Sequence, residues 1–348
     1  MDVLKLAGAC AAVFLLSSCQ VSYIFKSAYN QFSMMSSQIS LDEAMKDPKL
    51  TDEQKRKIQL AQKARAFAET ELSLKPTKNY TKFVSLDRPY VTYVVSAAPK
   101  WKLETYKWRY PIIGAMPYKG FFNEQDAKDE EANLQKEDLD TYMRGVSAYS
   151  TLGWFKDPLL SSMLRYKDYD LVNTIIHETV HATLYIKHEA DFNERMAVFL
   201  GNKGAEMFYT KEEGPDSPTL QTIKKENVDD KVFSEWISLK LKDLERWYDQ
   251  LPLDQHAEDK RQQQFSKLQK DFETELLPRL QSESYKKFHT IKLSNARLLV
   301  YRTYMQDLGD FEKLYEKTGK DFKKFLQECK GLETDKDPVT ALKSLVGS

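Results

Sequence analysis

Residues 171–196 read LVNTIIHETVHATLYIKHEADFNERM, and the reading of this stretch organises the rest of the chain. His177, Glu178 and His181 form an H-E-x-x-H. On a helix, residues four apart lie one turn apart on one face, so both imidazoles can point at one ion. Glu178 falls on the neighbouring flank, within reach of a water at that ion but not among its ligands. Two histidines could instead satisfy core hydrogen bonds, or hold an ion that only staples the fold. An adjacent glutamate outside the ligand set favours a catalytic zinc ion over both.

Two histidines need a further protein ligand, and His188, Glu189, Asp191 and Glu194 all follow closely. If the helix continues past His181, His188 lies seven residues on, about 10 Å along the axis, too far to share the ion. A glycine break could fold a later histidine back, but no glycine occurs between Gly153 and Gly201. The spacing instead predicts a helix running to about Lys187, a turn over 188–191, and a second, antiparallel helix starting near Asp191 or Phe192. Asp191 is then the cap of the second helix, and Glu194 falls in its first turn, level with His181. Ala197 provides a small residue where the two helices approach. The expected metal set is His177, His181 and Glu194 around Zn²⁺, with the fourth position left to water.

The wider composition suits such a site. The chain has 348 residues, with 52 Lys plus Arg against 52 Asp plus Glu. That balance argues against a nucleic-acid partner, which calls for an excess of basic side chains. Low Gly and Pro with many aromatics indicate a globular, helix-rich chain.

At the N-terminus, the apolar run Leu6–Leu16 is too short to span a bilayer but fits the core of a secretory signal. It ends in Leu16-Ser17-Ser18-Cys19, which resembles the lipobox of bacterial lipoproteins; Cys10 is a weaker candidate. The expectation is a signal over 1–18 and a lipid on Cys19 that anchors the chain in the cell envelope. Gln20 after that cysteine points to the outer membrane. Cys329 would then be the one remaining thiol, a packed small residue, so no disulfide framework supports the fold.

Helices are expected over 22–35 and 51–74, the second opened by a Thr51/Gln54 capping box with Ile58, Ala61, Phe67, Ala68 and Leu72 on its apolar face. Residues 90–121 and 141–155 carry β-branched and aromatic runs broken by Pro and Gly, so they read as short strands and turns. Between them 123–140 suits a solvated helix. From about 168 onward the chain reads as helical, including 228–251 with an apolar stripe at Val232, Trp236, Leu239, Leu244 and Trp247. The fold class is α+β, with a single domain over 19–348: N-terminal helices to 75, a sheet region over 90–155, and a helical metal-site region over 168–330.

H-E-x-x-H followed by N-E-x-x-A resembles the gluzincin peptidases. More specifically, AYSTLGWFKDPLLSSMLRY (148–166), IIHETVH (175–181) and FNERMA (192–197) resemble the bacterial family called putative aminopeptidases. The likeness extends to CQVSYIFKSAYNQFSMM at the N-terminus, YPIIGAMPYKGFF (110–122) and LSNARLLVYRTYMQDLGDFEKLY (293–315). Residues 212–284 match no pattern. The resemblance implies a zincin-like fold, zinc on His177, His181 and Glu194, and Glu178 as acid/base. It also implies peptide substrates for an exported, lipid-anchored enzyme.

Such sites need a second donor at the developing oxyanion. Tyr304 is the first candidate and Tyr301 the second, with ordinary packing as the alternative for both. Tyr149–Trp154 is expected to line the substrate, or else to pack Trp154 as a tight turn. Asp157 and Glu104 are candidates for holding a substrate α-amine. A zinc endopeptidase, or a non-catalytic envelope protein on the same fold, stays open as an alternative.

Overall fold

The computed structural model describes residues 23–110, 114–148, 156–187, 189–304 and 308–347, the side chains at 303 and 304 excepted. Cys10, Cys19, His188, the Tyr149–Trp154 segment and the Tyr304 side chain therefore lie outside the described residues.

Helix α1 (23–36) leads into a short strand β1 (Ile39–Ser40), α2 (Leu41–Lys46) and α3 (Asp52–Thr70). The Thr51/Gln54 capping box is present, with each side chain bonded to the other's backbone. The expected inner face of α3 is buried at Ile58, Ala61, Phe67 and Ala68, and Leu72 is buried just beyond the helix end. Strand β2 (Lys82–Val84) pairs antiparallel with β1. Next come β3 (Thr92–Pro99), β4 (Trp108–Tyr110), β5 (Gly114–Met116), β6 (Lys119–Phe121), α4 (Glu124–Lys136) and β7 (Leu139–Val146). Strands β6, β3 and β7 form an antiparallel sheet in that order, with Val95 opposite both Lys119 and Met143. Its central strand is buried on both faces. Tyr93, Val95 and Ala97 pack with Ala127 and Leu134 of α4. Ala98 faces the helical body.

Strand β8 (Leu159–Leu160) returns parallel to β2, and helices follow: α5 (Asp168–Thr183), α6 (Ala190–Glu213), α7 (Pro218–Gln250), α8 (Glu258–Asp271), α9 (Asn295–Tyr304), α10 (Gly309–Lys317), α11 (Phe322–Gly331) and α12 (Pro338–Val346). The α+β class is as expected. Helix α7 starts ten residues earlier than predicted, because Ser217 caps it and Pro218 fills a first-turn position whose N–H would have no partner. Its buried stripe is also rotated. Phe233, Ile237 and Leu241 join Trp236 and Leu244 inside, while Leu239 is 63% exposed. Cys329 is buried in the core, as a packed thiol should be.

Candidate metal centre

Helix α5 is amphipathic in the ordinary way. Leu171, Val172, Ile175, Ile176, Thr179 and Val180 are buried against the core, which leaves His177, Glu178 and His181 along one flank. The helix ends at Thr183, four residues before the expected Lys187, because Leu184 takes extended backbone angles. The connection 184–189 is then closed by Asn193. Its side-chain Oδ1 accepts from the Ile186 N–H at 2.9 Å, and its Nδ2 donates to the Ile186 carbonyl at 2.7 Å. Asn193 is fully buried, so this pair substitutes for the water that the two backbone groups give up. Asp191 is not the cap of α6. The N-cap is Glu189, with no side-chain cap bond, and Asp191 lies in the first turn, where its charge suits the helix dipole.

The close approach of the two helices falls at Gly201 and Gly204. A methyl group at Gly201 would stand 2.9 Å from Asn173 Oδ1 and 3.3 Å from His177 Cβ. At Gly204 it would stand 2.8 Å from Leu72 Cδ1 and 2.9 Å from Ile176 Cγ2. An Asn173-to-Asn202 hydrogen bond of 2.7 Å ties the same faces.

Together the two helices bring His177, His181 and Glu194 into one group. The two Nε2 atoms are 3.1 Å apart, and Glu194 places Oε2 at 3.6 Å from His177 Nε2 and Oε1 at 3.4 Å from His181 Nε2. Tetrahedral ligands at the bond lengths of zinc stand about 3.3–3.4 Å from one another. The separations here are of that order, although the two histidines face different oxygens of Glu194, and one donor atom from each residue lies within 4.8 Å of the others. The donor set, two imidazoles and a carboxylate, is also the one a catalytic zinc takes. Burial is graded around it: His181 is buried, while Glu194 is more open, so the group is reached from the Glu194 side.

The electrostatics agree with a cation position. Burial alone would lower the His177 imidazole, but the Glu194 hydrogen bond, the Glu178 and Glu194 charges and a bond to the Ala197 backbone outweigh it and raise it. Burial would raise the Glu194 carboxyl, yet the two histidines hold it at about 2. Each group favours the charge that its neighbours complement. The Ala197 backbone also orients the His177 ring, the kind of outer support that fixes a ligand's tautomer. His181 Nδ1 is buried with no hydrogen-bond partner among the described residues.

The Glu178 charge is felt by two tyrosines that the sequence did not suggest. Burial pushes the Tyr80 hydroxyl well up, and the Glu178 and Asp157 charges add to it. Burial also raises Tyr166, with Asp170 and Glu178 contributing. Tyr80 is held at φ 59°, a left-handed backbone rare for an aromatic residue, and its N–H donates to the Asp157 carbonyl at 2.7 Å. Nothing in the motif Asn79-Tyr80 announces this, since backbone handedness at one residue depends on what the chain packs against.

Of the other candidates, Asp157 is buried and its backbone is bound to Asn79 and Tyr80. Glu104 is exposed in a surface pair with Lys102. Tyr301 packs against Phe233 and Phe288, with ring centres 5.4 and 5.7 Å away, in a cluster of α7, α8 and α9. Its packing role is thus accounted for.

No curated protein is significantly similar to the chain. No solved structure is either. A family model does match, over residues 22–341, a span that holds the metal group, the sheet and nearly all of the helical body. The chain belongs to the family described as "Putative aminopeptidase".

Proposed function

We propose that the protein is a zinc-dependent peptidase of zincin-like architecture, with His177, His181 and Glu194 as ligands and Glu178 as general base. The observation that carries the reading is the gathering of His177, His181 and Glu194, one donor atom from each within 4.8 Å of the others, next to a glutamate that is not part of the group. Bound there, zinc supplies Lewis acidity that polarises a peptide carbonyl and makes water a stronger acid. Glu178 takes the proton from the attacking water and returns it to the departing amine nitrogen, a cycle that needs a carboxylate facing the reacting carbonyl. Tyr304 remains the proposed oxyanion donor. The family description favours action on peptides from the amino end. We further place the enzyme at the bacterial envelope, with signal residues 1–18 removed and Cys19 carrying lipid.

The test is Glu178→Gln in the zinc-loaded protein. Turnover of peptides should fall by at least about a hundredfold, the usual scale of a lost acid/base group, while the bound zinc stays at one per chain. Peptide hydrolysis at the unaltered rate sinks the mechanism. Comparing free with N-blocked peptides separates aminopeptidase from endopeptidase, because equal cleavage of both removes the exopeptidase reading.

A further inference from the structure

Helix α1 carries its aromatic residues on the wrong side for a soluble surface. Its inner face is already docked. The Tyr23 hydroxyl donates to the Gly120 carbonyl at 2.7 Å, its ring meets Phe121 edge-on, and Met34 is buried in the main core. Its outer face presents Phe25, Tyr29 and Phe32, spaced i, i+4, i+7, at 71, 72 and 73% exposure, with Ile24 beside them at 42%. Three large rings on one solvent-facing stripe mark an interaction surface, since nothing in the fold requires them.

From this geometry we infer that the outer face of α1 seats in the interfacial layer of a lipid bilayer. Such a layer suits the set, since Phe25 and Phe32 can bury apolar rings among the acyl chains while the Tyr29 hydroxyl stays at the wet headgroups. The residues of α1 include no Asp or Glu, and its one charge, Lys26, is held by Asp126 at 2.5 Å. Nothing on the helix opposes anionic headgroups. Tyr23 is four positions along the chain from Cys19, a reach of at most about 14 Å, so a lipid on that cysteine would hold α1 at the headgroups. A second copy of the chain is a poorer occupant. The three rings could bury at most roughly 450–750 Å², below the ~800 Å² per partner of a stable interface, and the stripe is bordered by Ala28, Ser33 and Ser36. The seat goes beyond the peptidase reading and does not depend on it, but it rests in part on the lipid proposed for Cys19.

An environment-sensitive fluorescent amino acid, placed in the full chain at position 32 or, as control, at exposed Gln263, tests the seat. On mixing with phosphatidylethanolamine–phosphatidylglycerol vesicles, emission from position 32 should shift to the blue. Its quenching by aqueous iodide should fall several-fold, while position 263 changes in neither respect. Equal quenching at both positions on vesicles overturns the inference. So does a blue shift at position 32 that appears without vesicles and grows with protein concentration, which would mean that a second copy covers the face. Peptide hydrolysis is not part of the readout, so failure here and failure of the metal-site reading are distinguishable.

Discussion

The position of Glu194 depends on the residue before it. Asn193 bonds both the N–H and the carbonyl of Ile186, so it fixes where α6 begins relative to α5 and therefore where the third candidate ligand points. Asn193→Ala leaves both backbone groups unpaired in a buried site. At about 1–3 kcal/mol for each of the two unmet groups, the fold should lose roughly 2–6 kcal/mol in urea unfolding. Zinc affinity should fall by about ten- to a hundredfold, as when outer supports of a ligand are removed. Asn193→Asp should not rescue either property, because a carboxylate cannot donate to the Ile186 carbonyl. Zinc titration of Asn193→Ala at unchanged affinity would show that Glu194 is positioned by something else. This role was not legible in the sequence. The spacing of His181 and Glu194 indicates a helix pair, but a side chain that reaches back seven residues depends on the path of the linker, and no periodic pattern records that path.

At the scale of the element, the α5–α6 pair owes its closeness to small residues, though not to the one that spacing suggested. Ala197 does contact the His177 ring through its backbone, but the tight packing is at Gly201 and Gly204. Gly204→Ala sets two effects against each other. Alanine gains about 1 kcal/mol of helix propensity, whereas forcing a methyl against Leu72 and Ile176, both fully buried, costs about 1–3 kcal/mol. We expect net destabilisation of about 1 kcal/mol in urea unfolding. Gly331→Ala is the control: it has right-handed helical angles and nothing within 4 Å of the added methyl, so it should be neutral or stabilising. Equal shifts in the two variants would remove the close-approach argument. Local signals elsewhere read well. The Thr51 capping box needs only four consecutive residues, and it is found as predicted. The α7 stripe read less well, since apolar residues at 232, 236 and 239 compete with those at 233, 237 and 241. Only the partners of the helix decide between two faces one residue apart.

Across the whole molecule, the stretch 212–284, in which the sequence showed no motif, builds structural support. Its helices α7 and α8 build a second hydrophobic cluster with α9 and the inner face of the sheet, separate from the core that carries α5 and α6. A buried network joins the layers. Arg261 pairs with Asp140 at 2.5 Å, Asp140 also accepts from the Asn295 N–H at 2.7 Å, and Asn295 accepts from the Tyr248 hydroxyl at 2.8 Å. Two adjacent acids of α7 close the far side of this cluster: Asp229 accepts from the N–H groups of Gln281 and Ser282, and Asp230 accepts from the Tyr285 hydroxyl. Burial is the main reason that Asp230 is pushed up to about 6, with the Glu226 and Asp229 charges adding to it. The linkage sign follows. Below the unfolded value near 3.8 both states hold the proton and the group is neutral in its effect. Between there and about 6 the native state keeps a proton that the unfolded chain has lost, so stability falls as pH rises. Above about 6 the full penalty, about 3 kcal/mol for a shift of about two pKa units, is in place. Asp230→Asn retains an oxygen to accept from Tyr285 but never ionises. Its stability relative to the unaltered chain should therefore rise by up to about 3 kcal/mol between pH 4 and pH 8, measured by urea unfolding at each pH. A difference that stays flat over that interval would mean that Asp230 ionises in the native protein as readily as in the unfolded one.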